Sequence, residues 1–259
     1  MRKIQLMATA FGAGCVLLLS QCTKDVKTNP ASNEGDAAQI NGKLSTMSLL
    51  FNGDASLGSS NVWKDVNIEG SGAMTTVTDE TGTLCWQFTK PAGSHRTEGH
   101  GAKNYQAQLG SEFYIGWTDK LYMPATLKTD AVFQWKSYPT STTANHPLML
   151  RTNNGNLELQ YFDINHVASV PWSIPLALST WQSFVLRIKL SDSATDGYIE
   201  LWYNGVKQTF TNNSQRYYCR TFDSDYCDPK WGVYGGDSSQ ATHIVKKIRI
   251  GTSYADVAQ

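Results

Sequence analysis

Charge is what this sequence has least of. Only 17% of its 259 residues are Asp, Glu, Lys or Arg, against roughly a quarter in an average globular protein. The 22 basic and 22 acidic residues cancel, and no basic run stands out. A nucleic-acid binder draws its affinity from Lys and Arg paired with phosphates, so that class is excluded. Metal-ligand spacing is missing too: no C-x-x-C and no H-x-x-x-H pair occurs, which argues against a zinc centre. No metal site and no cofactor are expected, although a structural Ca²⁺ held by backbone carbonyls would leave no motif. The body also lacks any sustained helical stripe longer than two turns. Aromatics, in contrast, are plentiful at 11%, with 8 Trp and 12 Tyr. With 41% hydrophobic residues, a mainly disordered chain is excluded, and the length fits one domain with a tail.

The chain start sets the compartment. Arg2 and Lys3 precede an apolar stretch from Ile4 to Leu19, too short to span a membrane and remain there. Residues 1–21 therefore read as a lipoprotein signal peptide. Leu17-Leu18-Leu19-Ser20-Gln21-Cys22 resembles a bacterial lipobox, with Cys22 as the lipidated residue; Gln21 departs from the small residue expected there, and Cys15 is the alternative. Export is expected, with a lipid anchor in the bacterial outer membrane facing the periplasm or the cell surface. Removing residues 1–21 leaves 20 basic and 22 acidic residues, a net charge of −2. Residues 22–46 are polar, include Asn29-Pro30, and read as a flexible tether; residues 47–259 form the folded domain. In an oxidising compartment Cys219 and Cys227, flanking a short polar loop, would form a disulfide. Cys85 reads as a buried strand residue.

From Leu49 onward the apolar pattern has period two, broken by turns such as Asn153-Asn154-Gly155 and Asn204-Gly205. Strands are expected over 83–89, 95–100, 112–121, 131–138, 147–151, 157–162, 183–190, 198–203, 232–235 and 244–250. Such strands without crossover helices mean an all-β, antiparallel two-sheet sandwich, at this size a concanavalin-like jelly roll with a concave substrate groove. Parity assigns the faces. Burying Phe133 and Trp135 projects Gln134 and Lys136 from the other side; Arg96, Glu98 and His100 share a face; Trp231 and Val233 turn inward while Lys230 and Tyr234 turn outward. Trp181 and Trp202 read as core, and His146, His166 and His243 as surface or loop residues.

A face of Arg, His, Gln, Lys and Tyr without two facing carboxylates is poorly equipped for glycoside hydrolysis, and the E-x-D-x-x-E spacing of laminarinase-like jelly rolls is absent. The set suits β-elimination on a uronic acid. That reaction needs donors to neutralise the carboxylate, a base for the C5 proton and an acid for the departing O4 oxygen.

Arg96-Thr97-Glu98, Phe133-Gln134-Trp135-Lys136, Trp181 to Arg187, Gly197 to Gly205 and Lys230-Trp231-Gly232-Val233-Tyr234 occur in an order that resembles jelly-roll polysaccharide lyases. The nearest likeness is to the heparin-lyase-I-like group with family-20 glucuronan lyases; family-7 alginate lyases are more distant. The resemblance spans roughly residues 49–255 and implies a lyase acting on a glucuronan-like anionic polysaccharide. It further implies that Arg96 binds the uronate carboxylate, that Gln134 helps neutralise it, and that Tyr234 is acid, base or both. Where the alginate-lyase pattern has His two residues after Gln, this chain has Lys136. His100 is the substitute base, with His146 a weaker one; Glu98, Lys136, Lys230 and His146 would contact substrate. A monomer touching the membrane through its lipid alone is expected. The competing readings are a non-catalytic carbohydrate-binding lipoprotein on the same fold and, third, a glycoside hydrolase. Taken singly, Arg96 and Glu98 could equally be a strand ion pair, worth about 0–1 kcal/mol if exposed.

Overall fold

A computed structural model describes residues 49–138, 146–223 and 225–259. The signal, the tether and Cys22 lie outside them. Sixteen strands run in chain order: β1 (Leu49–Asn52), β2 (Trp63–Glu69), β3 (Ala73–Thr78), β4 (Leu84–Lys90), β5 (Arg96–Ala102), β6 (Glu112–Tyr122), β7 (Ala131–Ser137), β8 (Leu148–Asn153), β9 (Asn156–Phe162), β10 (Ala168–Pro175), β11 (Gln182–Lys189), β12 (Tyr198–Tyr203), β13 (Val206–Lys207), β14 (Tyr217–Tyr218), β15 (Cys227–Tyr234) and β16 (Ala241–Gly251). They form two sheets. One has the order β13-β12-β11-β6-β16-β4-β3, with β1 beside β16 and β14 beside β12; the other is β10-β9-β8-β7-β15-β5-β2. Every recorded pairing is antiparallel. The expected jelly-roll sandwich is the observed architecture.

The alternation of each strand builds the core. Phe133, Trp135 and Trp231 from the seven-stranded sheet meet Phe113, Trp117 and Phe184 from the other. Trp117 stacks on Phe133 at 4.7 Å and on Phe184 at 5.0 Å between ring centroids. Deleting one such ring costs about 3–5 kcal/mol, so these positions fix which face of β7 and β15 points outward. Gly99 sits beneath the Trp63 indole, where a Cβ would come within 2.7 Å of the ring. At Gly232 (φ +149°) a Cβ would lie 2.1 Å from the Thr97 carbonyl oxygen; only glycine lets β15 approach β5 this closely.

Four expectations need correction. Cys219 and Cys227 are both free thiols: Cys227 faces the Ser137 hydroxyl at 2.9 Å, and Cys219 packs into the hydrophobic core. Trp202 lies outside the core, because Ile199 and Leu201 take the inward parity of β12; it rests on Tyr254 at 5.0 Å. Trp181, preceding β11 with outward parity, lies between the ammonium groups of Lys246 and Lys120, 4.0 and 4.5 Å from its ring. His243 is fully buried, bonding through Nδ1 to the Gly232 carbonyl. Cys85 is buried on β4, as its pattern predicts.

Candidate active site

Register carries the polar residues of four strands to one place, with Met149 of a fifth beside them. Across the seven-stranded sheet, Asp65, His100, Lys230, Gln134 and Met149 stand side by side on β2, β5, β15, β7 and β8. Asn67, Glu98 and Gly232 form the next row, and Glu69, Arg96 and Tyr234 the one after. The missing side chain at Gly232 opens the middle of this face. A register shift between Trp231 and Tyr234 against β7 accommodates the inward Val233.

The floor is a buried carboxylate. Glu98 is fully buried and accepts 2.5 Å from Gln134 Nε2, with Arg96 Nε 3.4 Å from its other oxygen. Burial raises the pKa of Glu98, outweighing the lowering effect of Lys230 and Arg96. Glu98 is therefore buried beneath the face on which its sequence position placed it, engaged with Gln134 and Arg96. Gln134 is also nearly buried, and its amide is engaged with Glu98. It lies beneath the site rather than on its surface.

Above this floor a cavity of about 470 Å³ is lined by Arg96, His100, Lys136, Lys230 and Tyr138, with β2 forming its wall. Arg96 pairs with Glu69 at 3.2 Å and lies over the Tyr234 ring, 4.2 Å from its centroid. That ring opens to a second cavity of about 340 Å³ with His146, Arg151 and Gln160. Arg96 and Tyr234 thus join the two cavities. The structure brings Arg96, His100, Lys136 and Lys230 together and adds Tyr234 at their edge. His146 belongs to the second cavity, against Phe162 at 4.7 Å.

The cations of the first cavity are desolvated and crowded together. Burial, then the charges of Lys230 and Arg96, pushes Lys136 down to about 8. Burial also lowers Lys230, whose ammonium donates to Asn67 Oδ1 at 2.8 Å. The Tyr138 hydroxyl is driven above its ordinary range by burial and then by Asp228 and Glu98, so it remains a donor. Burial holds the His146 ring neutral, with a pKa near 4. Among the described residues ten buried side-chain polar atoms lack a hydrogen-bond partner, and five are here: Arg96 Nε, Glu98 Oε2, His100 Nε2, Tyr138 OH and Asp228 Oδ2. Four of them face one another in two long ion pairs, Arg96 with Glu98 and His100 with Asp228, each at 3.4 Å. Among the described residues no cluster of three or more His, Cys, Asp or Glu could hold a metal ion.

Sequence reasoning missed Tyr138, Asn67, Lys64 and Asp228. Tyr138 was legible, since it continues the outward parity of Gln134 and Lys136. Asp228 has the parity of Lys230, but Pro229 between them hid the start of β15. Asn67 and Lys64 lie on β2, an edge strand whose solvated face erased the alternation.

The sequence pattern described as Polysaccharide lyase matches residues 32–247. The chain belongs to the polysaccharide lyase family. Curated protein sequences gave no match. Among solved structures, an endo-β-1,4-glucuronan lyase from the fungus Trichoderma reesei is similar, at 20% identity over 81% of this chain and 98% of that one, with a TM-score of 0.60. A carbohydrate esterase of the Shiga toxin-encoding bacteriophage phi24B follows, at 16% identity over 79% and 99% of the two chains, TM-score 0.53. Alginate lyase A1-II′, of polysaccharide lyase family 7, gives 15% identity over 69% and 83%, TM-score 0.50. These likenesses concern the fold. The polysaccharide lyase assignment rests on the family match.

Proposed function

We propose that this polysaccharide lyase cleaves a uronic-acid-containing glycan, glucuronan-like β-1,4-glucuronate first among them, by β-elimination at the face built on Arg96, His100 and Tyr234. The supporting observation is the cavity in which Arg96, Lys136 and Lys230 meet, with Lys136 desolvated and pressed by the charges of the other two. An anionic sugar suits these cations. Its carboxylate would lie against Arg96, assisted by Lys136 and Lys230, which stabilises the charge that develops when C5 loses its proton. His100 takes that proton as the C5–H bond breaks. The electrons form the C4–C5 double bond, the C4–O4 bond breaks, and the Tyr234 hydroxyl delivers a proton to the departing oxygen. Water then returns a proton to Tyr234 and removes one from His100. Tyr138, kept protonated, offers a hydrogen bond to a sugar hydroxyl. Export and a lipid anchor at Cys22 belong to the same reading, since a polymer of this kind is met outside the cytoplasm; mass spectrometry of the mature N-terminus checks them.

Incubation of the full-length protein with a panel of polyuronates should generate unsaturated ends that absorb in the ultraviolet, fastest on glucuronan. Binding to these polymers without an absorbance rise would refute the reading, and so would saturated reducing ends.

A further inference from the structure

Asp228 has no part in the chemistry above, yet it lies directly behind His100. Its side chain is 2% exposed, and its two oxygens face different partners. Oδ1 accepts from Lys64 Nζ at 2.7 Å. Oδ2 is 3.4 Å from His100 Nε2, and neither atom has a hydrogen-bond partner among the described residues. Buried polar atoms are normally paired, and these two face each other. Catalytic hydrogen bonds are often this long before substrate arrives.

The surroundings fix both ends of this pair. Lys64 also donates to Gln106 Oε1 at 2.8 Å, while Gln106 Nε2 donates to the Cys227 carbonyl at 2.7 Å. The lysine is thus tied back to the strand that carries Asp228. On the other side the His100 ring stacks on Tyr138, with centroids 5.1 Å apart and planes inclined by 20°, and Tyr138 stacks on Tyr226 at 5.0 Å. The imidazole forms one end of this column, which sets the plane of its ring.

We propose that Asp228, held by Lys64, is a positioning residue that keeps His100 protonated on Nε2, so that Nδ1 presents its lone pair to the cavity as the base. The proposal rests on the reading in which His100 removes the C5 proton. A carboxylate that orients an imidazole and selects its tautomer is a general device of acid–base catalysis.

The lysine makes a specific test available. In Asp228→Asn, Lys64 requires an oxygen at the Oδ1 position, so the amide nitrogen must face His100 Nε2. The ring then has to accept there, and its proton moves to Nδ1. In Lys64→Met/Asp228→Asn the amide is free to turn and present its oxygen to His100. Nitrogen NMR of histidine-labelled full-length protein, assigned with His100→Gln, reads the tautomer directly. The expected result is Nε2–H in the wild type, Nδ1–H in Asp228→Asn, and Nε2–H again in the double variant. Turnover on a polyuronate should fall about 10²–10⁴-fold in Asp228→Asn with KM little changed, and rise by at least about 10-fold in the double variant as the tautomer returns. An Nδ1–H ring in the wild type would overturn the proposal, whatever becomes of the Asp228 variants. A tautomer switch with undiminished turnover would overturn it as well. If the wild type cleaves no polyuronate, the functional reading fails, while the wild-type tautomer still decides whether Asp228 sets the ring.

Discussion

The two outer faces of the sandwich carry similar side chains and use them in opposite ways. On the nine-stranded sheet Glu200 receives Lys207 at 2.9 Å, Arg216 at 2.7 Å and Arg187 at 3.1 Å. Arg187 also reaches Glu112, which accepts from the Tyr198 hydroxyl at 2.5 Å. Burial raises Glu200, but the hydrogen bonds from Lys207, Arg216 and Arg187 outweigh it and hold the carboxyl below its ordinary value. On the seven-stranded sheet the buried Glu98 is shifted the other way, and its Oε2 and the Arg96 Nε facing it lack a hydrogen bond. None of the unpartnered buried atoms among the described residues belongs to the Glu200 network. Charges saturated by one another fix a structure; charges left unsaturated are available to a ligand.

Tyr234→Phe should break the active face most sharply. Turnover on a polyuronate is expected to fall about 10²–10⁴-fold, whereas Tyr198→Phe, on the other face, should leave it at the wild-type level. Steady-state rates followed in the ultraviolet decide this.

A pH profile sharpens the comparison further. Lys136 must be charged to hold a carboxylate, and it loses its proton as the pH rises through about 8. The kcat/KM profile of the free enzyme should therefore fall above that pH. In kcat the same limb should lie higher, because bound anion favours the ammonium. Lys136→Met should abolish the limb and raise KM.

Stability should separate the two glutamates. Glu200→Gln removes the centre of a satisfied network and is expected to cost about 2 kcal/mol in urea unfolding. Glu98→Gln removes a charge the fold disfavours, so its cost should stay below about 1 kcal/mol while activity falls. The pH signs are opposite as well. Glu200, lowered on folding, contributes stability above the ordinary carboxyl pKa and loses it as pH falls through its folded value. Glu98, raised on folding, costs stability once ionised and returns it as pH falls through its own. The smallest effect concerns the thiols: with Cys219 and Cys227 free, a reducing agent should leave Tm unchanged.

Much of the candidate face was legible because period-two parity survives wherever one side of a strand is buried. Phe133 and Trp135 had to face inward, so Gln134 and Lys136 could not; Arg96, His100, Lys230 and Tyr234 follow from the same argument on β5 and β15. The reading failed at edges. β2, β3 and β10 border their sheets, where solvent on both sides or Pro171 and Pro175 blurs the alternation. With β2 unread, Lys64 and Asn67 had no place, and the cavity lacked a wall. Depth within a face is a second blind spot. Parity put Glu98 and Gln134 on the outward side, but only packing shows them lying beneath Arg96 and Lys230.

The central claim is that the unsaturated face is where the uronate reacts. A crystal structure of the inactive Tyr234→Phe protein with a glucuronate oligosaccharide tests it most directly. The account predicts a sugar carboxylate within hydrogen-bond distance of the Arg96 guanidinium, the C5 hydrogen directed at His100, and the glycosidic oxygen beside residue 234. A sugar bound on the Glu200 face, or held away from Arg96 on the seven-stranded sheet, would contradict it.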